Sequence, residues 1–104
     1  MRTGEVAVIF VSTRTGADAA GYAAAAEAMD LLAAAQPGYA GVDHVHDESG
    51  RAITVSYWRD EESAVQWRDH PDHAAARDAG RARWYANYQL FVARIERGYR
   101  WSAA

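Results

Sequence analysis

Val42-Asp-His-Val-His-Asp47, then Glu48-Ser49-Gly50, then Arg51-Ala-Ile-Thr-Val-Ser-Tyr-Trp58 reads as two strands joined at a tight turn. The first run alternates, Ser-Gly supplies the turn, and the return run is rich in β-branched and aromatic residues. The pair predicts a β-hairpin in the middle of the chain. What lies on either side of it then sets the fold.

On the N-terminal side, Glu5 to Thr13 is apolar at nearly every position and predicts a strand covered on both faces. Gly16-Ala-Asp18 opens a helix to about Ala35, with Tyr22, Ala26, Met29 and Leu32 as its apolar stripe, and Gln36-Pro37-Gly38 stops it. On the C-terminal side, Asp60-Glu61-Glu62 puts negative charge where a helix begins. Pro71 interrupts that helix and suits the first turn of another, predicted to run to about Asn87. Gln89 to Arg97 closes the chain as a strand, followed by a tail with Tyr99 and Trp101. The order β-α-β-β-α-β is the ferredoxin-like split unit, an α+β fold with a four-stranded antiparallel sheet. At 104 residues the chain forms one domain, 1-104.

Strand one offers apolar residues on both faces, Val6/Val8/Phe10 and Ala7/Ile9/Val11, and strand three offers Ile53/Val55/Tyr57 opposite Ala52/Thr54/Trp58. With helices on one side only, the other side would be a large apolar patch, so a second copy is expected to cover it in a two-fold dimer.

Composition excludes several functions. The eleven cations are all arginine, the formal net charge is -3, and alanine fills about a quarter of the chain. Such a chain lacks the basic stripe that nucleic acid requires. Without cysteine there is no disulfide, thiolate metal site or cysteine nucleophile. The apolar run Val6 to Val11 is too short for a signal segment or a span, so no membrane partner and a cytoplasmic location are expected. No nucleophile elbow or glycine-rich phosphate loop is present. His44 and His46, two apart on a strand, point the same way, but no third ligand stands at a convincing spacing, so no metal is assigned.

Chemistry concentrates between Tyr57 and Tyr88, where three tryptophans, two histidines and five arginines fall together. On helices, Trp67, His70, Ala74, Arg77, Arg81, Trp84 and Tyr88 recur at spacings of three and four and share roughly one face. A core face is normally aliphatic, whereas this mixture suits a flat, electron-rich or anionic ligand. The plainer reading makes Trp67 and Trp84 core fillers, His70 a helix cap, and the arginines solvated.

These residues resemble the antibiotic biosynthesis monooxygenase family of the dimeric α/β-barrel superfamily. The resemblance runs through Gln36-Pro37-Gly38-Tyr39, Gly50 to Trp58, Trp67 with His70-Pro71-Asp72-His73, and Gly80-Arg81-Ala-Arg83-Trp84-Tyr85. It implies a homodimeric barrel with a pocket in each subunit between helices and sheet. Some members oxidise polycyclic phenols, anthrones or quinols with molecular oxygen and no metal or flavin; others bind and degrade haem. Counted from Trp67, the haem-ligand histidine of the latter falls on Arg77, and a functional asparagine falls near Ile9, although His73 one turn earlier could replace the ligand.

The expected function is therefore a cofactor-independent monooxygenase acting on an aromatic phenol, anthrone or quinol. Its catalytic set is His73 as base with His70 second, Trp67, and Arg77 against the substrate oxyanion. Arg81 assists, and Tyr57, Trp84 and Tyr85 with Trp67 sandwich the rings. At an effective dielectric of about 20, one cation about 4 Å from the oxyanion contributes at most roughly 4 kcal/mol. The alternatives are a haem-binding or haem-degrading protein, and a non-redox binding module, cyclase or isomerase on the same barrel.

Overall fold

Val6 and Trp58 face each other across the two middle strands, and both are almost wholly buried. In the computed structural model, which describes all 104 residues, this pair anchors the sheet. The elements are β1 (Val6–Arg14), α1 (Ala19–Ala34), β2 (Tyr39–His46), β3 (Arg51–Trp58), α2 (Glu61–Arg68), α3 (Pro71–Ala79), a π-helical turn (Gly80–Trp84) and β4 (Tyr85–Arg94). The strands lie in the order β2-β3-β1-β4, and all pairings are antiparallel. No helix is long and apolar enough to cross a membrane.

Register and the two-residue period of a strand assign the faces. Val6, Val8, Phe10, Ser12 and Arg14 of β1 share a face with Trp58, Ser56, Thr54 and Ala52 of β3 and with Tyr88, Leu90 and Val92 of β4. The helices lie on this side, because Trp58 and Val6 form one cluster with Ala64 and Trp67 of α2, against which Met29, Leu32 and Ala33 of α1 pack. The opposite face carries Ile9, Val11, Ile53, Val55, Tyr57 and Phe91, with no layer over it.

Local chemistry accounts for the boundaries. Asp60 caps α2 by accepting from Ser63 N at 2.8 Å, while the Ser63 hydroxyl lies 3.4 Å from Asp60 N, completing a capping box. Glu61 and Glu62 then occupy the favourable end of the helix dipole. Pro71 starts α3, where its missing N–H costs nothing, and His70 caps it, as the plainer reading of that corner had it.

Three boundaries depart from the sequence expectation, among them the end of β4 at Arg94, three residues before the expected Arg97. Strand β2 begins at Tyr39 through an irregularity between Tyr39 and Gly41. Strand β4 begins at Tyr85, four residues before the expected Gln89, so Tyr85 and Tyr88 stand on a strand and not on a continuous helix face. The cause is local. Thr15 N donates to Trp84 O at 2.8 Å and the Thr15 hydroxyl donates to Arg83 O at 2.7 Å, drawing helical carbonyls onto the β1–α1 loop. Gly80 lets Tyr85 fold back against the turn, since a Cβ there would stand 2.7 Å from the Tyr85 ring.

Gly38 is the most constrained turn residue. Its φ is +82°, and a Cβ would collide with Ser63, which holds the α2 cap. Its carbonyl also accepts from Arg59 N at 2.7 Å. Gly38→Ala is therefore expected to cost about 1–3 kcal/mol of stability, measured by urea unfolding.

Candidate active site

Trp67 buries itself because α2 presents Ser63, Ala64 and Trp67 to the sheet at one helical spacing. Its indole lies near-parallel to Trp58, at 6.2 Å and 22°, and to the imidazole of His73, at 4.4 Å and 11°. His73 comes from the first turn of α3, which the Asp69–His70 corner folds back over the end of α2. Its Nδ1 lies 3.0 Å from Trp67 O. A carbonyl only accepts, so Nδ1 carries the hydrogen and Nε2 keeps its lone pair.

Electrostatics act in the same direction. Burial pushes the His73 pKa below the ordinary 6.5, opposed by the bond to Trp67 O, while the Arg77 charge and then His70 lower it further. The ring is therefore neutral at pH 7, with its tautomer fixed and its plane held against an indole. That is the state a general base requires.

The other expected residues divide. His70 is turned to capping, its Nδ1 accepting from Asp72 N at 3.1 Å, with its ring 5.7 Å from Trp67. Arg77 borders His73 and donates to Arg68 O at 3.3 Å. Arg81 instead donates to the Tyr88 hydroxyl at 2.7 Å, so the two arginines take different partners.

Trp84 and Tyr85 gather at the far end of β1, roughly 26 Å along the strand from Val6. There Trp84 Nε1 donates to Asp18 at 3.1 Å, and both rings meet Tyr22 edge-on. Tyr57 is on the open face, donating to Asp43 at 2.8 Å beneath the Arg2 guanidinium. The structure thus brings together Trp67, His73, His70 and Arg77, and does not bring Tyr57, Arg81, Trp84 or Tyr85 to them.

Sequence reasoning missed Trp58 as the indole behind Trp67, although its place opposite Tyr57 in β3 had already put it on the other face. It also missed Arg14 and Asp18. His44 and His46 do stand side by side, at 5.6 Å between rings, with His44 Nδ1 2.6 Å from the Thr54 hydroxyl. No group of three or more His, Cys, Asp or Glu could hold a metal ion.

Two open clefts, of about 600 and 260 Å³, lie away from His73, the first by Gly38 and Tyr39 and the second between Arg14 and Ser49. His73, with Nδ1–H on a carbonyl and Nε2 free, has the form of a metal-ligating imidazole and is the residue that would hold a haem iron here.

The sequence model for antibiotic biosynthesis monooxygenase matches residues 6–79. The chain belongs to that family. An uncharacterized protein of Bacillus subtilis, YqjZ, is 46% identical over 91 residues, 88% of this chain and 79% of that protein. Among solved structures, a mutant form of the cofactor-independent oxygenase SnoaB of Streptomyces nogalater superposes with a TM-score of 0.78 at 16% identity, over 92% of this chain and 97% of that one. A conserved protein of Methanosarcina mazei superposes at 0.80 with 8% identity, covering 90% and 95%. At these identities the structural likeness establishes the fold.

The lowered pKa of His73 carries a stability consequence. A depressed folded-state pKa means that the unfolded chain binds the proton more readily, so the protein loses stability as pH falls from about 6.5 through the folded value. Urea midpoints at pH 7.5 and 5.5 are expected to differ by less in His73→Gln than in the parent.

Proposed function

We propose that the protein is a cofactor-independent oxygenase of electron-rich aromatic substrates in which His73 is the base. The observation that supports this best is the half-buried, neutral imidazole whose Nδ1–H is held by Trp67 O, leaving Nε2 to take a proton. In this reading Trp67 is a positioning residue. Only 9% exposed and already stacked with His73, it has little surface left for a substrate ring.

For an anthrone the atoms balance as CH₂ plus O₂ giving C=O plus H₂O. His73 Nε2 takes one C–H proton, and the carbanion passes one electron to oxygen. The radical pair joins as a C–O bond, and the peroxide takes back the proton. Loss of water with the second C–H hydrogen then gives the ketone. Arg77, beside His73, favours the substrate oxyanion and keeps the imidazole from holding its proton. A phenol or quinol enters the same sequence through its oxygen.

We further propose a homodimer through the open face of the sheet. Ile53, Val45 and Phe91 on that face are 42%, 66% and 52% exposed. The accessible surface is 7027 Å², against about 5,800 Å² expected for a compact chain of this mass. Part of the excess is the tail after Arg94. The whole excess exceeds the roughly 800 Å² that each partner buries in a standard interface.

Oxygen uptake by metal-stripped protein over a panel of anthrones, naphthoquinols and hydroquinones tests the reaction. His73→Ala should lower kcat by about 10²- to 10⁴-fold. Trp67→Phe keeps the carbonyl and loses only part of the stacking, so about 3- to 10-fold is expected. The rate should fall on the acid side with a midpoint below 6.5, because protonation of Nε2 removes the base. Uptake at the autoxidation level throughout the panel would overturn the oxygenase reading. For the dimer, Phe91→Glu with Ile53→Glu should convert a two-chain species to a monomer in sedimentation, and a parent that sediments as one chain would refute it.

A further inference from the structure

Strand β2 is an outer strand of the sheet, bonded only to β3, and it carries two imidazoles that the oxygenase reading leaves unused. His44 pairs with Thr54 and His46 with Ala52, so both rings lie on the helix side, the face opposite Val45 and Ile53. Both histidines are exposed, while Thr54 is half-buried and Ala52 buried. A partner laid on the open face of the sheet therefore leaves them free.

Their geometry is close to that of a chelate. The ring centroids stand 5.6 Å apart, with the planes inclined by 39°. Two imidazoles that bind one cation through Nε2, at about 2.0–2.1 Å and a near-tetrahedral angle, have centroids about 5 Å apart. Small changes of χ1 and χ2 in exposed side chains close that difference. His44 is also oriented by the protein, its Nδ1 lying 2.6 Å from the Thr54 hydroxyl. With Nδ1–H donated to that oxygen, the Nε2 lone pair is left for a metal, the arrangement that orients ligating histidines in metal sites. No arginine lies between Tyr39 and Gly50, whereas Asp43, Asp47 and Glu48 do, so the strand and its turn do not repel a dication.

We propose that His44 and His46 form a two-imidazole site for a divalent late transition metal, Cu(II) most tightly, with water in the remaining positions. Imidazole suits these ions, whereas Mg(II) and Ca(II) require oxygen ligands, and Cu(II) stands above Zn(II) in the usual order of affinity. The want of a third protein ligand separates this site from a closed structural centre, where four protein groups surround the metal. It leaves coordination positions open at the surface. His73 takes no part, so the site stands whether or not the oxygenase reading does.

Cu(II), supplied as its glycine complex to untagged, metal-free protein at pH 7.5, tests it. Titration calorimetry should show one tight equivalent that the His44→Gln, His46→Gln double variant loses. Each single variant should weaken Cu(II) binding about tenfold or more, nearly as much as the double variant, because the second imidazole binds intramolecularly and one alone is no chelate. Electron paramagnetic resonance at one equivalent should show splitting from two imidazole nitrogens, and Zn(II) should compete for the same equivalent more weakly. Both positions are exposed, so circular dichroism should find all three variants folded. A double variant that binds as the parent does, single-variant losses that simply add up to that of the double, or no tight equivalent in the parent would overturn the proposal.

Discussion

The contact on which the rest depends is the burial of Trp58 against Val6 at one end of the central strand pair. Trp58 is wholly inaccessible to solvent, and its Nε1 donates to the Ser56 hydroxyl at 2.9 Å, so no polar atom is stranded. Removing an indole of some 150–250 Å² from water contributes roughly 4–6 kcal/mol at most. Three elements converge on it. Tyr39 of β2 meets the ring edge-on at 5.7 Å, α2 supplies Ala64 and Trp67, and α1 closes over the cluster with Met29 and Leu32. Through Trp67 the same contact fixes His73. The imidazole is thus held by a stack whose far end is the protein's best-buried side chain.

Such a concentrated core leaves the remainder of the domain thin. Much of the apolar content is spent on the uncovered sheet face and on β4, where Leu90, Phe91 and Val92 are each about half exposed. A 104-residue chain with one-sided burial gains little from its far face unless something covers it. Alternation makes this unavoidable, since every residue that β3 places inward beside Trp58 puts its neighbour, Val55 or Tyr57, outward.

The alternation was legible in the sequence, and with it the hairpin, the strand order around it and the opposite orientations of Tyr57 and Trp58. The caps at Asp60 and His70 were legible too, because capping is decided within three residues. What escaped was decided by contacts distant in sequence. Periodicity carried the last helix through Trp84 to Asn87, whereas Thr15, far earlier in the chain, captures the Arg83 and Trp84 carbonyls and turns the chain into β4. With the helix ended there, the aromatic and cationic residues that share one face on an ideal helix separate into two groups at opposite ends of β1. Arg14 and Asp18 escaped for the same reason, since nothing in their local sequence announces Tyr22 or Trp84 as partners.

That separation bears on how charge is used. A cation placed next to a base works in two ways, favouring an oxyanion product and disfavouring the protonated base that accompanies it. In the proposed reaction Arg77 beside His73 has both effects, and burial adds to the second, so an imidazole acting as the base there gives its proton up easily and has to take it from a substrate that is already rather acidic. Anthrones and quinols meet that requirement because their conjugate bases delocalise over fused rings. A simple alcohol or an isolated methylene does not, and a neutral imidazole of lowered basicity cannot compensate. In the proposed reaction the same weakness as a base that narrows the substrate class is what lets His73 return the proton to the peroxide, so the environment that restricts the first step also completes the cycle.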